Sequence, residues 1–240
     1  SIAQLQQLLR EQLPGKSGDD WVSGWSYDDT LIEENRHPTR HDLDAVSTEL
    51  PVYITHVSGH MGVANTRGLE LLGISADTED PVGGVIAREP GTRVPAGLLE
   101  EAAHMASAEL VMDFSALQGV QMTLAASDEY VAMGVTTAQS GGVDAAMGKS
   151  LTAMATYNLI KPRLVIFPFY HMLGQDLLSG EFDPADIASD KAIVGPVKIV
   201  ADGSIQGYTG YLSEPYYVPY HGDAEYRGYP VVPREELVKI

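Results

Sequence analysis

No cysteine occurs among the 240 residues, which excludes a disulfide framework and any thiolate metal site. A metal bound by this chain has to be held by histidine, carboxylate or a modified lysine. Positive charge is scarce as well: 15 Lys and Arg stand against 33 Asp and Glu, for a formal net charge of -18. A field of that sign repels nucleic-acid phosphate and anionic lipid, so neither is an expected partner, and neutral or cationic small molecules and metal cations remain. No apolar run approaches the roughly 20 residues needed to span a bilayer. The opening SIAQLQQLLREQL is amphipathic without a signal-peptide core, and the lack of cysteine fits the expectation of a cytoplasmic location. Internal repeats and low-complexity tracts are also missing. What the chain has is 44% hydrophobic residues, enough for one barrel-sized core or two smaller ones.

Ile2, Leu5, Leu8, Leu9 and Leu13 recur at helical spacing, and Pro14-Gly15 ends that helix before a Gly/Ser/Asp-rich linker. A short strand is expected over Trp21 to Trp25, and Thr39 is placed to cap a turn around Leu43. Pro51 to Val57, PVYITHV, reads as a strand that runs into Ser58-Gly59-His60. Val63 to Leu72 reads as a helix closed by Gly73, the segment from Pro81 to Arg88 as a turn feeding a strand, and Ala96 to about Met112 and Ser115 to Met133 as longer helices. From Gly134 onward strands and helices alternate as in βα units with parallel strands: strand Val135 to Ala138, helix Ala145 to Ile160, strand Arg163 to Phe169 and strand Val197 to Ala201. A Gly/Pro/Tyr-rich loop then runs to Val232, and Pro233 opens a further helix. Three such units fall short of the eight that close a barrel, so the chain reads as an internal piece of a longer fold.

Four stretches carry a resemblance. They are Arg40 to Val46 with Pro51-Val52, Ser58-Gly59-His60 and Val63-Ala64-Asn65; Asp80 to Arg88 with Ala96 to Glu100; Gly134-Val135-Thr136-Thr137; and Val197-Lys198-Ile199-Val200-Ala201-Asp202-Gly203-Ser204, followed by Thr209, Leu212, Glu214, Pro215 and Tyr216. In this order they resemble amidohydrolase family 3, the YtcJ-like branch of the metal-dependent amidohydrolases, which includes N-substituted formamide deformylases. The resemblance covers nearly the whole chain. It implies an α/β fold, a partial (β/α) TIM-type barrel of about strands 2 to 4 with an α+β insertion on its N-terminal side. The corresponding divisions are 1–47, a helix and lead-in; 48–113, the insertion; and 114–240, the partial barrel.

The family's function implies hydrolysis of a non-peptide C–N bond in a small-molecule amide or formamide by hydroxide activated on a divalent metal, zinc by expectation. The usual His-x-His, two later histidines and a last-strand aspartate are absent from this sequence. The resemblance therefore leaves one metal ligand, Lys198. A lysine ligand must be neutral or carboxylated, because an ammonium has no lone pair. A buried amine with a depressed pKa takes up carbon dioxide, and the carbamate offers two oxygens to a metal pair. The alternative for Lys198 is a salt-bridged or snorkelling lysine at a strand end.

Substrate contacts are expected from His60, Asp202, His171 and Tyr208. Each has a plain structural alternative: His60 as a turn cap, Asp202 as the first half of an Asp-Gly turn, His171 as a satisfied loop residue, and Tyr208 as one of several tyrosines packing a proline-braced loop. His37, His41, His56, His104 and His221 show no paired ligand spacing. Two rival readings stay open. Ala138-Gln139-Ser140-Gly141-Gly142 resembles a nucleophile elbow, with Asp202 and His221 following in order, as in a serine hydrolase. Alternatively the chain by itself is a non-catalytic structural or binding fragment, inactive for want of ligands, whose open sheet edges favour homo-oligomers.

Overall fold

A computed structural model describes residues 1–111, 114–220 and 222–240. The chain divides into two compact units, Ser1–Asp113 with Val200–Ile240, and Phe114–Ile199.

The first unit opens with helix α1 (Ile2–Arg10), capped by a Ser1/Gln4 box, which buries Ile2 and Leu9. Strand β1 (Val22–Tyr27) follows, then helix α2 (Arg40–Asp44), for which Thr39 is the cap as the sequence leads one to expect. Strand β2 (Val52–His56) is buried at every position. A Ser-Gly turn leads to β3 (Met61–Ala64) and helix α3 (Thr66–Leu71), and then come β4 (Gly84–Arg88), β5 (Pro95–Glu101) and helix α4 (Ala102–Val111). The five strands form one sheet in the order β1-β2-β3-β5-β4. The β1–β2 pair is parallel and the other pairs are antiparallel. One cluster joins Leu9, Val22, Leu43, Val52, Ile54, Met61 and Val63, and another joins Tyr53, Ala64, Leu69, Leu99 and Ala103. With helices contributing to both clusters, β2 is covered on both faces, which explains its unbroken run of β-forming residues.

Two expectations are corrected here. Ala96 to Met112 is not one helix: its first part is β5, and α4 begins only at Ala102. Leu98-Leu99-Glu100-Glu101 has good intrinsic helix propensity, but pairing of Leu98, Leu99 and Glu100 with β3 and of Leu99 to Glu101 with β4 overrides it. Gly97 fits only this arrangement: its φ is +110°, and a Cβ there would meet the Arg40 backbone nitrogen at 2.6 Å. Likewise Val63 and Ala64 belong to β3, and the helix starts at Thr66. Met112, where the expected helix ends, lies outside the described residues.

The second unit has helix α5 (Ala116–Ala132), strand β6 (Thr137–Val143), helix α6 (Ala145–Thr156), strand β7 (Arg163–Pro168), a π-helical turn (Tyr170–Gly174), helix α7 (Gln175–Ser179), a 3-10 turn (Pro184–Ile187) and strand β8 (Ala192–Val194). Its sheet is parallel, in the order β6-β7-β8. Ala138, Leu164, Ile166 and Ala192 from the strands pack with Met154 and Ala155 of α6. The strand expected over Val197 to Ala201 is displaced to Ala192–Val194. Gly195-Pro196 interrupts the ladder, proline having no N–H to donate, and Lys198 rejoins β7 only through an isolated parallel bridge to Phe169.

Candidate functional site

In the first unit the chemistry gathers where β5 passes into α4. Glu100 and Glu101 are adjacent and buried, at 4% and 2% exposure. Glu100 accepts hydrogen bonds from Tyr229 (3.1 Å) and Tyr220 (3.4 Å), both from the long tyrosine-rich segment. Burial pushes its carboxyl up to about 7; the tyrosine hydroxyls pull the other way and lose, and the neighbouring Glu101 adds to the rise. Glu101 stands in the left-handed region at φ 49°, and its Oε2 lies 2.9 Å from His60 Nδ1. Its other oxygen, Oε1, is buried without a hydrogen-bond partner among the described residues.

His60 comes from the Ser58-Gly59 turn, where its N–H donates to Ser58 Oγ (3.1 Å). The same hydroxyl meets His56 Nδ1 at 2.8 Å, and His56 Nε2 meets Asp29 Oδ1 at 3.0 Å. Hydrogen bonds therefore link Asp29, the His56 ring, Ser58 and the His60 backbone N–H, while the His60 ring separately meets Glu101. Behind it, His104 on α4 pairs its Nδ1 with the Tyr53 hydroxyl at 2.8 Å, and burial lowers its pKa to about 4, which keeps the ring neutral. Asn65, 0% exposed, caps α3. Its Oδ1 accepts from Val52 and Gly68, and its amide donates to the Ser47 and Leu50 carbonyls.

Tyr208, at φ 59°, stacks on Tyr220 and tilts against Tyr216, each at 4.9 Å between ring centres. Tyr226 packs at 4.9 Å from Tyr220. The tyrosines thus form a stacked layer tied to Glu100 rather than separate rim contacts. Asp202 accepts the Tyr211 N–H at 2.8 Å, which is a loop-bracing role.

In the second unit Lys198 is half-buried beside the C-terminal end of β7. Its N–H donates to the Pro168 carbonyl (2.8 Å) and its carbonyl accepts from Tyr170 N–H (2.9 Å). His171 follows the same strand end, exposed, with its ring edge-on to Tyr170 at 5.0 Å. In parallel α/β sheets the carboxyl ends of strands are where ligands bind. Ser140 is half-buried within β6 in register with Ile166, so the strand continues through it and no strand-to-helix elbow forms there, a correction to the serine-hydrolase reading. His221 lies outside the described residues.

Metal binding can be tested on the donors present. Among the described residues, Asp28, Asp29 and His56 are a group of three whose ligand atoms lie within 4.8 Å of one another. Those atoms are already engaged: Asp28 Oδ1 takes the Thr30 N–H (2.9 Å) and hydroxyl (2.6 Å), and Asp29 is bonded to His56. The Thr30 hydroxyl also holds the Asp28 carboxyl below its usual range. Lys198 offers one ligand where a metal site needs three or four. The donors described do not by themselves fit a complete metal site.

A mixed α/β architecture carrying a parallel strand-helix unit, with polar groups at strand ends, defines the broad class of the molecule. The amidohydrolase family model matches residues 1–240, and the chain belongs to that family. It is 34% identical over 119 residues to the N-substituted formamide deformylase of Arthrobacter pascens, covering 48% of this chain and 22% of that protein. Against the putative amidohydrolase YtcJ of Bacillus subtilis (strain 168) it is 28% identical over 218 residues, covering 90% of this chain and 40% of that protein. A crystal structure of an uncharacterized metal-dependent hydrolase from Pyrococcus horikoshii OT3 superposes with TM-score 0.60 at 22% identity, over 100% of this chain and 44% of that one. The chain spans less than half the length of each of these relatives.

His60 is marked in the sequence by its Ser-Gly turn, whereas Glu100, Glu101 and His56 are not singled out there. Two signals were available. His56 is a histidine inside a β-run whose other residues carry no charge at neutral pH, and Glu100-Glu101 are paired acids in Pro95 to Ala106, a stretch with no Lys or Arg to neutralise them.

Proposed function

We propose that the whole protein is a metal-dependent amidohydrolase acting on a non-peptide C–N bond of a small amide or formamide, and that this chain contributes Lys198, as a carbamate, to its metal site. The observation that carries the reading is the place of Lys198: a half-buried lysine at the carboxyl end of a parallel strand, in a chain of the amidohydrolase family. The second unit is read as about strands 2 to 4 of a TIM-type barrel, and the α+β segment before it as an insertion. Lys198 would be one of several ligands to a divalent ion, zinc in this proposal, which when bound would supply Lewis acidity and an activated water near neutral pH. The chain's own groups bind and orient. In the first unit, His60, Asp202 and Tyr208 are assigned to substrate, with the tyrosine layer offering apolar surface and Glu100, near 7, able to hold or release a proton at neutral pH. In the second unit, His171 is assigned likewise. A cytoplasmic location and a small-molecule substrate belong to the same proposal; no helix among the described residues is long and apolar enough to cross a membrane.

The test is hydrolysis of N-substituted formamides and N-acyl amines by the whole protein, with bound metal measured by mass spectrometry. Lys198→Ala is expected to lower kcat/KM at least about 100-fold, the scale on which loss of a metal-site group acts, and an added short carboxylic acid is expected to restore part of it. Full activity in Lys198→Ala would overturn the reading. These 240 residues alone are expected neither to retain stoichiometric zinc nor to turn over an amide.

A further inference from the structure

We propose that Glu101 is the positioning residue for His60: its carboxylate holds a proton on Nδ1 of that ring and so fixes both the tautomer and the orientation of His60. The significance for catalysis rests on the assignment of His60 to substrate; the pairing itself does not.

The two residues are joined twice. Glu101 N–H donates to the His60 carbonyl at 2.8 Å, and Glu101 Oε2 meets His60 Nδ1 at 2.9 Å. Between them they close the small ring where β3 begins and β5 ends. The left-handed backbone at Glu101, φ 49°, costs a non-glycine residue on the order of 1 kcal/mol and persists only where its surroundings hold it. Here it turns the side chain out of the alternation of β5 and toward the Ser58-Gly59-His60 turn. The side chains differ sharply in exposure, 2% for Glu101 against 26% for His60. The carboxylate is therefore the inner, fixed partner, and the imidazole is the member that reaches a surface.

The second carboxylate oxygen strengthens the case. Oε1 has no hydrogen-bond partner among the described residues and is covered by Gly203, where a Cβ would overlap both Oε1 and Thr209 Oγ1. Gly203, in the segment after Lys198, is the residue that leaves room for this carboxyl. Among the described residues, the hydrogen-bonded side-chain partner of this carboxylate is the His60 ring, at Oε2. The other titratable groups near the pair are Glu100, adjacent to Glu101 and raised to about 7 by burial; Tyr229, which donates to Glu100; His104 on α4, kept neutral by burial; and His56 with Asp29, one hydroxyl away through Ser58. None of these takes over the Nδ1 proton.

The chemical consequence is definite. A free neutral imidazole favours the Nε2–H tautomer, whereas Nδ1–H donated to Glu101 makes Nε2 the nitrogen that carries no proton in the neutral ring. The same carboxylate favours the protonated ring, so His60 titrates higher with Glu101 in place than without it.

Histidine-labelled protein examined by 15N NMR reads both properties. In the wild-type chain above its titration, His60 is expected to show a protonated Nδ1 and an unprotonated Nε2. Glu101→Gln, which keeps shape and removes charge, is expected to lower the His60 midpoint by about one pH unit, the usual effect of losing an adjacent opposite charge. The His104 signals, which report the neighbouring Tyr53 contact, serve as the check that the variant is folded. An Nε2–H tautomer in the wild type overturns the proposal, and so does a folded Glu101→Gln whose His60 midpoint is unmoved. Should Glu101→Gln fail to fold, the wild-type tautomer decides alone. The substrate assignment fails separately: unchanged kcat/KM in His60→Gln of the whole protein would remove it while leaving the Nδ1–H tautomer standing.

Discussion

At the residue scale, Glu100 and His104 are buried groups whose shifts oppose one another. The Glu100 carboxyl is raised from 4.5 to about 7 by burial, so the folded state resists its ionisation. The unfolded chain loses that proton first, and stability falls as pH climbs from about 4.5 through 7. His104 is lowered from 6.5 to about 4, again by burial. The unfolded chain gains that proton first, and stability falls as pH drops from about 6.5 through 4. Between those limits the two slopes largely cancel. Each shift is worth about 3.5 kcal/mol at most, at about 1.4 kcal/mol per unit. Urea-unfolding midpoints measured from pH 4 to 8 are therefore expected to change in Glu100→Gln to a curve that rises with pH up to about 6.5 and then loses its alkaline decline. His104→Gln is expected to keep the decline above pH 5 and lose the acid limb. A pH profile for Glu100→Gln that overlays the wild type would show that the tyrosine hydroxyls keep this carboxyl ionised, contrary to the reading here.

Among the elements, β2 and α3 depend on a single side chain. Asn65 spends both halves of its amide on backbone: it accepts from Val52 and Gly68 and donates to Ser47 and Leu50, at 2.7 to 3.0 Å. Removing it takes away a helix cap, about 1 kcal/mol, and leaves buried backbone groups without partners at about 1 to 3 kcal/mol each. Asn65→Ala is expected to cost about 3 kcal/mol or more in denaturant unfolding, and Asn65→Asp nearly as much, because the carboxylate cannot donate to two carbonyls. A cost below 1 kcal/mol for Asn65→Ala would mean that water replaces the amide. This residue also marks how far the sequence could be read. Asn65 lies close to the Ser-Gly turn in sequence, yet its contacts with 47, 50 and 52 are set by chain return and are not local. Elements decided by local chemistry were legible: α1 from its leucine spacing, α2 from Thr39, and β2 from five β-formers between a proline and a Ser-Gly turn. Elements decided by long-range pairing were not. β5 reads helical until β3 and β4 flank it, and with it went Glu101, whose left-handed backbone and grip on His60 have no local signature. β8 was sought in VKIVA, which has the stronger β composition, but Pro196 stands in the way and the weaker AIV pairs with β7.

At the scale of the molecule, the second unit leaves apolar surface in water. Helix α5 buries only Ser127 among its 17 residues, while Leu117 is 67% exposed and Met122, Tyr130 and Val131 are also open. Among the described residues, strands β6 and β8 are the two outer strands of their sheet, the position from which strands pair with other chains. Apolar burial gains about 25 cal/mol per Å2, so even a few hundred square ångströms of such surface favours association by several kcal/mol before entropic costs. The net charge of -18 acts against this, since two copies repel at long range. That repulsion is screened within about 10 Å at 0.1 M salt and about 3 Å at 1 M, whereas the hydrophobic term is not weakened by salt. The 240 residues are thus expected to sediment as monomers at low salt and micromolar concentration and to associate reversibly as sodium chloride is raised toward 1 M. Replacing Leu117, Met122 and Val131 together by glutamate should abolish the association without changing the unfolding transition, because none of the three is buried. Monomeric sedimentation of the unaltered chain across the whole salt range would mean that the exposed face of α5 is too dispersed to hold a second copy.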